Sequence, residues 1–315
     1  MLANGSRVAS SAPIVKRPAQ KVVGDRHCLA IDIGGTKMAC GIVNNDGDLL
    51  LRDVIPTPKG TDGDALSAAL VALVESVRQR SDVVIDCCGV GCGGPMEPDG
   101  VTVSPLNITA WKKFPLKERL ANSLEMDVTV DNDAKAFALG EWWKGSAHGV
   151  DSFLAMVVST GIGGGLVVDG RLINGRLGNA GHIGHLVVEP QGRRCVCGVI
   201  GCLEAEASGT AIAAMTGWPA KDASSEIRRR TGTMVGRAVA SVVTLLDLSL
   251  CIVAGSVALG FGEPFFTAAQ DELERCTGLS YTEGARIVRA GLGDAGPLIG
   301  AGALGFGIGR DKVQS

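Results

Sequence analysis

The segment Cys28-Leu-Ala-Ile-Asp-Ile-Gly-Gly-Thr-Lys37 decides the fold, because an apolar strand pattern runs directly into a polar glycine turn. Residues 38–43 continue as a second apolar run, and Asn45-Asp46-Gly47 is a hairpin signal before a third run over 48–52. The same succession returns over 153–173, with a glycine turn at 160–165 and a hairpin signal at Asp169-Gly170. This repeat predicts a duplicated α/β protein, in which each half is a mixed sheet flanked by helices and a cleft separates the halves.

The rest of the pattern places the boundary between the two lobes near residue 138. Apolar positions from Leu66 to Val77 recur at helical spacing, strands are expected at 83–90, 127–130 and 249–254, and helices are expected near 134 and over 235–246. We predict an N-terminal lobe at 28–138, a C-terminal lobe at 139–297, and a final helix at about 298–315 that packs back on the first lobe. Residues 1–27 are small, polar and mildly basic, which predicts a disordered leader or an over-long start.

Composition excludes several classes of protein. The chain has 315 residues, a net charge of −3 and 46% hydrophobic residues, so it can bury a large core and does not resemble a disordered chain or a basic nucleic-acid binder. Glycine supplies 45 residues, about twice the usual share of 7%, which places many tight turns or close backbone approaches in the fold. No uncharged apolar stretch reaches the ~18 residues of a membrane span. We expect a cytoplasmic protein without a nucleic-acid or membrane partner.

The first glycine turn is a candidate phosphate site. Backbone N–H groups of a glycine turn can converge on an anion, and a neighbouring carboxylate suits hydrated Mg²⁺. The candidate residues are Asp32, Gly34, Gly35, Thr36 and Lys37. The second turn, which includes Thr160, Gly161 and Gly163, precedes a strand and therefore is not a dinucleotide fingerprint, and the chain has no Gly-Lys-Ser/Thr of a P-loop. Each turn alone could be an ordinary hairpin turn, but two at equivalent positions could hold a polyphosphate between the lobes.

A cluster of thiols and one imidazole predicts a metal site. His185, Cys195, Cys197 and Cys202 follow the spacing H-x9-C-x-C-x4-C, and a set of three cysteines and one histidine matches closed, structural zinc. Such an ion would hold the loop 181–204 in place. The alternative is three buried thiols beside a surface histidine.

Asp133 is the candidate acid–base residue. It follows a strand and begins a helix in Asp131-Asn132-Asp133, so it could simply cap that helix. Between two phosphate turns, its carboxylate could instead accept the proton of a hydroxyl group that attacks a phosphate. Phosphoryl transfer requires mainly positioning and charge neutralisation, for which an ordinary aspartate suffices.

These motifs together resemble the ROK family of bacterial sugar kinases and sugar-responsive repressors over nearly all of residues 28–310. The most specific part is Ala180-Gly-His-Ile-Gly-His185 with Cys195-Val-Cys-Gly-Val-Ile-Gly-Cys-Leu-Glu204. The resemblance implies an actin-like ATPase (ribonuclease H-like) fold, Mg-ATP as cofactor, a homodimer, and Asp133 as catalytic base. It also implies an adenosine-binding turn at Gly255 and Ser256. The residues implied to contact the sugar are Gly94, Asn107, Asn132, Asp133, His182, His185 and Glu204, with His185 also binding zinc.

Three positions depart from the family pattern. The loop Gly91-Cys92-Gly93-Gly94-Pro95 lacks one proline of the family's Gly-x-Pro-Gly-Pro, and Lys135 stands where a small Asn is usual, near the expected nucleotide mouth. His182 replaces the Glu of glucose kinases and resembles certain N-acetylmannosamine kinases. A neutral histidine accepts one hydrogen bond and donates one, whereas a carboxylate accepts two from a diol. Losing that carboxylate favours a 2-acetamido sugar over glucose.

The function expected from this resemblance is transfer of the ATP γ-phosphate to the 6-hydroxyl of a hexose or N-acetylhexosamine, with glucose and N-acetylmannosamine as the leading substrates. The alternatives are a ROK-type sugar-binding regulator and a catalytically inactive sugar-binding protein. Only 27 residues precede Cys28, fewer than the winged helix of the regulators needs, and Asp32, Thr36 and Asp133 are all present. These features favour the kinase, while the choice between ATP and polyphosphate as donor stays open.

Overall fold

The computed structural model describes residues 24–60 and 62–309. The first lobe contains a five-stranded mixed sheet of β1 (His27–Ile33), β2 (Lys37–Asn44), β3 (Leu49–Pro56), β4 (Cys87–Cys92) and β5 (Val128–Asn132). Its helices are α1 (Gly63–Arg78), α2 (Leu116–Leu124) and α3 (Asp133–Lys144). The strand order is β3-β2-β1-β4-β5, in which β2 is antiparallel to both β3 and β1, and β4 and β5 run parallel to β1.

The second lobe repeats this arrangement. Its strands are β6 (Phe153–Val158), β7 (Ile162–Val168), β8 (Arg171–Leu172), β9 (Leu250–Ala254) and β10 (Arg286–Arg289). Its helices are α4 (Leu203–Ala207), α5 (Gly209–Thr216), α6 (Ser225–Leu246), α7 (Ser256–Phe261) and α8 (Glu263–Cys276), and α9 (Gly296–Gly305) follows them in the chain. Read from its edge, the order β8-β7-β6-β9-β10 has the same connectivity and strand directions as the first sheet. The predicted duplication of an α/β lobe is confirmed.

The parallel strands bring the polar turns to one edge of each sheet. In the register of the first sheet, Asp32 pairs with Gly91 and Gly91 pairs with Asp131, so these three strands end side by side. In the second sheet, β6 pairs in parallel with β9, which places the turn after Val158 beside the turn after Ala254. Ligands of α/β sheets bind at the carboxyl ends of such strands, so the duplicated topology directs both sets of turns to the same region.

The glycines of residues 160–165 differ from the prediction. The turn covers only the residues before Ile162, and Gly163 and Gly165 lie inside β7. A Cβ at Gly165 would lie 2.7 Å from the Cβ of Ala138, and one at Gly163 would lie 3.0 Å from the Cβ of Ala134, so these glycines allow α3 to pack closely on the strand. The predicted turn was therefore too long, because glycine carries no strand signal of its own.

Helix α9 packs on the first lobe. It contacts β1, β4 and α3, and its small residues allow that approach: a Cβ at Gly140 of α3 would lie 2.9 Å from the nitrogen of Gly300, and a Cβ at Gly89 of β4 would meet the carbonyl of Ala301. The predicted helix at 298–315 begins earlier and ends at Gly305, where Phe306 is the C-cap. Residues 310–315 lie outside the described part of the chain, as do residues 1–23 of the predicted leader.

Two further sequence predictions are wrong in extent. Residues 83–86 do not continue the strand predicted at 83–90, and β4 begins at Cys87. Helix α6 begins at Ser225, ten residues before the predicted start, because Ser224 caps it through the backbone nitrogen of Ile227 and a polar first half precedes its apolar face. Within residues 24–60 and 62–309, no helix combines the length and apolar character needed to cross a membrane.

Candidate active site

A cleft of about 680 Å³ lies between the carboxyl edges of the two sheets. Every residue predicted to contact phosphate, adenosine or sugar lines it: Asp32, Gly34, Gly35, Thr36, Lys37, Gly94, Asn107, Asn132, Asp133, Thr160, Gly161, Gly163, His182, His185, Glu204, Gly255 and Ser256. The structure therefore brings together residues from eight separate segments of the chain. Of the predicted site residues, only the three cysteines do not line the cleft.

The first glycine turn closes tightly against the loop that holds Asn107. The nitrogen of Gly34 donates to the carbonyl of Lys37 at 3.0 Å, and Thr57 Oγ1 donates to the carbonyl of Gly34 at 2.6 Å. A Cβ at Gly35 would lie only 2.6 Å from the Cβ of Asn107. Glycine is therefore required for this approach, and the turn keeps a backbone surface that faces the cleft.

The second glycine turn meets the turn at Gly255 and Ser256 on the second lobe's side of the cleft. The backbone nitrogen of Ser159 donates to the carbonyl of Gly161 at 2.9 Å, and the hydroxyls of Ser159 and Ser256 are 3.0 Å apart. Gly255 has a φ of 101°, and a Cβ there would collide with the carbonyl of Val158. The two turns of the second lobe thus form one continuous polar wall of the cleft.

Two carboxylates, those of Asp32 and Asp133, line the cleft. Asp133 is the first residue of α3, and its Oδ1 accepts from the nitrogen of Ala134 at 2.8 Å. Burial raises the pKa of Asp133, although the Ala134 N–H and His182 oppose that shift. Burial, together with the charge of Asp133, raises the pKa of Asp32 to about 7, while Lys37 opposes this shift. A cation in the cleft would therefore stabilise the ionised forms of both carboxylates. With its raised pKa, Asp133 is a stronger base than a solvated aspartate.

His182 presents one defined nitrogen to the cleft. Its Nδ1 lies 3.0 Å from the carbonyl oxygen of Asn179, which can only accept, so the bond assigns the proton to Nδ1. Nε2 is then an acceptor, and it lies 3.4 Å from the position that a Cβ of Gly94 would take. The amide nitrogen of Asn132 approaches the same position to 3.3 Å. A donor and an acceptor therefore converge beside Gly94, where any larger side chain would displace them.

Glu204 and Asn107 connect this pocket with the second turn. Glu204 Oε2 accepts from the nitrogen of Ile162 at 3.0 Å, which leaves Oε1 as the other acceptor of that carboxylate. A Cβ at Gly161 would lie 3.2 Å from Glu204 Oε2 and 3.7 Å from the amide nitrogen of Asn107. The position expected for a sugar is thus directly beside the position expected for phosphate.

The predicted metal ligands form a compact group. The ligand atoms of His185, Cys195, Cys197 and Cys202 all lie within 4.8 Å of one another. Cys195 Sγ is 3.7 Å from His185 Nδ1, and Cys197 Sγ is 3.6 Å from Cys202 Sγ. A tetrahedron with zinc–sulfur bonds of about 2.3 Å has edges of about 3.8 Å, so this donor set fits zinc in chemistry and in spacing. With Nδ1 of His185 directed to the cysteines, its Nε2 is the nitrogen left for the cleft.

Lys135 was expected near the nucleotide mouth, but it is buried and does not line the cleft. Its side chain is 1% exposed and its Nζ lies 2.6 Å from Asp131 Oδ1 and 2.6 Å from Asn174 Oδ1. Sequence reasoning missed Asn174, which contacts Lys135, and Asn179, which contacts His182. Asn174 lies 39 residues from Lys135 and Asn179 lies 83 residues from Met96, so no local pattern marks these side-chain contacts. The bond from His182 to Asn179 is local, but its acceptor is a backbone carbonyl, which carries no sequence signal.

Comparison with known proteins shows the family of the chain. A model of the ROK family matches residues 28–306. An N-acetylmannosamine kinase of Yersinia pseudotuberculosis serotype O:1b (strain IP 31758) is 34% identical over 250 residues, which cover 74% of this chain and 84% of that protein. The chain belongs to the ROK family.

Two solved structures share the fold at useful identity. The ROK hexokinase of Thermus thermophilus superposes with a TM-score of 0.77 and 32% identity, covering 89% of this chain and 98% of that one. A ROK family glucokinase of Streptomyces griseus, solved in complex with glucose and AMPPNP, has a TM-score of 0.78 and 28% identity over 90% of this chain and 99% of that one. The expected actin-like α/β fold with two lobes is confirmed.

Proposed function

We propose that this ROK sugar kinase transfers the γ-phosphate of ATP to the 6-hydroxyl of N-acetylmannosamine. The observation that carries the proposal is the convergence of Asp133, two glycine turns and the His182 pocket in one cleft. The relative that is 34% identical is an N-acetylmannosamine kinase, which supports the choice of sugar. Glucose is the second candidate, because a structural relative is a glucokinase solved with glucose.

In this proposal Asp133 receives the proton of the 6-hydroxyl as its oxygen attacks the γ-phosphorus. Its raised pKa makes it a competent acceptor, and its bond from Ala134 holds the carboxylate in place. The two glycine turns direct backbone N–H groups at the transferring phosphate, and Lys37 adds positive charge. Mg²⁺ would be held near Asp32 and would neutralise charge on the phosphates. Closure of the two lobes around both substrates would exclude water, so that the sugar hydroxyl and not water is phosphorylated.

His182 sets the preference for the sugar in this proposal. With its proton on Nδ1, the ring offers a single acceptor at Nε2 beside Gly94. A glutamate would accept from two adjacent hydroxyls, whereas one acceptor beside the amide of Asn132 suits a hydroxyl and an acetamido group. A 2-acetamido sugar lacks the second hydroxyl that a glutamate at this position would bind, so it would lose affinity in a site with that glutamate. The His182 pocket is expected to bind such a sugar without this loss of affinity.

The experiment that tests this preference compares His182→Glu with the unaltered enzyme on N-acetylmannosamine and glucose. We expect kcat/KM for glucose to rise relative to kcat/KM for N-acetylmannosamine by about tenfold, the scale of one gained or lost charge-assisted hydrogen bond. His182→Gln is the matched control, since it keeps a neutral side chain. Unchanged selectivity in His182→Glu would remove His182 as the specificity residue.

The resident groups that we propose are Mg-ATP in the cleft and one structural zinc at His185, Cys195, Cys197 and Cys202. The donor spacing supports the zinc, and metal analysis of the purified protein tests it. We also propose a homodimer in the cytoplasm, which the resemblance to the family supports. Sedimentation of the purified protein tests the dimer. If the protein neither hydrolyses ATP nor phosphorylates any sugar tried, this result would favour an inactive sugar-binding protein.

A further inference from the structure

We propose that Lys135 is a positioning residue for sugar binding, because its buried ammonium joins the segment that carries Asp133 to the loop that orients His182. The proposal rests on the sugar pocket of the proposed function. It goes further by assigning the pocket's geometry to a residue outside the cleft.

The first half of the connection is the anchor on the strand. Lys135 Nζ lies 2.6 Å from Asp131 Oδ1, and the two side chains are 1% and 8% exposed. Asp131 is the penultimate residue of β5 and lies two residues before Asp133, and Lys135 lies two residues after Asp133. The pair therefore spans the junction of strand and helix at the point where the proposed base projects into the cleft.

The second half is the loop of residues 174–181. The same ammonium lies 2.6 Å from Asn174 Oδ1 and 3.3 Å from the carbonyl of Gly178. The next carbonyl, that of Asn179, accepts the hydrogen bond from His182 Nδ1. Two consecutive carbonyls are thus held by Lys135 and by His182, so movement of the loop away from Lys135 would rotate the His182 ring.

Asn179 adds a further link to the opposite side of the pocket. Its side-chain oxygen accepts from the nitrogen of Met96 at 3.1 Å, and its amide donates to the carbonyl of Met96 at 2.9 Å. Met96 follows Gly94 by two residues, so the loop held by Lys135 also fixes the wall against which His182 Nε2 and Asn132 converge. A small Asn at position 135 could not reach both Asp131 and Asn174, because the lysine stem supplies that length.

The test uses variants that differ in how much of the buried pair they disturb. Lys135→Met leaves the carboxylate of Asp131 buried without its cation, and such a change can prevent folding. Asn174→Ala is the informative variant, because Asn174 is exposed and its loss leaves the Lys135–Asp131 pair intact. Arg176→Ala is the matched control: Arg176 is exposed in the same loop and makes no hydrogen bond or ion pair with any described residue.

We expect Asn174→Ala to raise the dissociation constant and KM for the sugar by about tenfold, with KM for ATP unchanged, as expected for loss of one charge-assisted hydrogen bond. Arg176→Ala should behave as the unaltered enzyme, and Asn174→Asp should restore sugar affinity. Combined with His182→Ala, the Asn174→Ala change should cost little more, because both act through one ring. Additive losses in this double variant, or an unchanged sugar dissociation constant in Asn174→Ala, would overturn the proposal.

Sugar binding is measured by calorimetry and turnover by ADP release, which separates the two proposals. If the unaltered protein binds N-acetylmannosamine but does not consume ATP, the kinase proposal fails and the binding constants still decide the role of Lys135. If it turns over the sugar and Asn174→Ala binds sugar normally, only the role of Lys135 fails. If no sugar binds, both are wrong.

Discussion

Replacing Asp32 by asparagine is predicted to stabilise the protein without nucleotide while removing its activity. Burial raises the pKa of Asp32 from 3.8 to about 7. Between these two values the folded chain holds a proton that the unfolded chain has released, so the free energy of unfolding falls as the pH rises from about 4 to about 7. Above about pH 7 the folded chain keeps a buried charge in the cleft and the loss is complete. Asparagine has nearly the same shape and carries no charge.

The shift of about three pKa units corresponds to about 4 kcal/mol at most, at about 1.4 kcal/mol per unit. Because the cleft is open to water and Lys37 lies near, we expect about 2 kcal/mol, or a rise in Tm of about 4–6 °C at about pH 8. The gain should shrink markedly at about pH 5. Activity with Mg-ATP should be lost, because the carboxylate near which Mg²⁺ is proposed to bind is gone.

The assay is thermal unfolding at both pH values without ligands, with Asp46→Asn as the control at an exposed turn. The control should leave the Tm within about 1 °C of the unaltered protein at both pH values, as is usual for surface substitutions. A Tm of Asp32→Asn at or below that of the unaltered protein at about pH 8 would refute the reasoning, since it would show that the Asp32 carboxylate is not destabilising in the empty cleft.

Three further outcomes follow from the site. Asp133→Asn keeps an acceptor for the Ala134 N–H and should fold normally. Its kcat should fall by about 10²–10⁴-fold while sugar affinity is retained, and a near-normal kcat would exclude Asp133 as the base. Cys197→Ser, or removal of zinc by a chelator, should lower sugar affinity more than ATP affinity, because the metal cluster holds the loop that carries His182 and His185. Normal sugar affinity in a zinc-free preparation would contradict this prediction. Gly255→Ala should raise KM for ATP and lower the Tm, because the new Cβ meets the carbonyl of Val158 at a φ of 101°; a variant with normal nucleotide affinity would show that the turn can shift freely.

The strand and turn pattern was predictable because it is local. The apolar run from Cys28, the polar turn after it and their repetition after Phe153 each depend on residues adjacent in the chain. The cysteine and histidine cluster was predictable for a similar reason, since its four ligands occur within 18 residues of sequence (185–202) and come together in space.

The errors arose where tertiary contacts decide the structure. Gly163 and Gly165 lie in a strand against which α3 packs closely. Glycine has a low strand propensity, so the sequence did not predict a strand at these positions. A lysine in a helix is ordinarily expected at the surface. Lys135 is buried because Asp131, four residues earlier near the end of β5, and Asn174, in the second lobe, both accept from its ammonium group. Asn174 is 39 residues further along the chain, so no spacing rule could have paired them.

The central claim is that this cleft phosphorylates a sugar, and a coupled ADP-release assay with Mg-ATP tests it most directly. N-acetylmannosamine, glucose, N-acetylglucosamine, mannose and fructose are compared at equal concentration, with Asp133→Asn as the blank. We predict sugar-dependent ADP release that is fastest with N-acetylmannosamine and is lost in Asp133→Asn. Release of ADP at the same rate with and without each of these sugars would contradict the account.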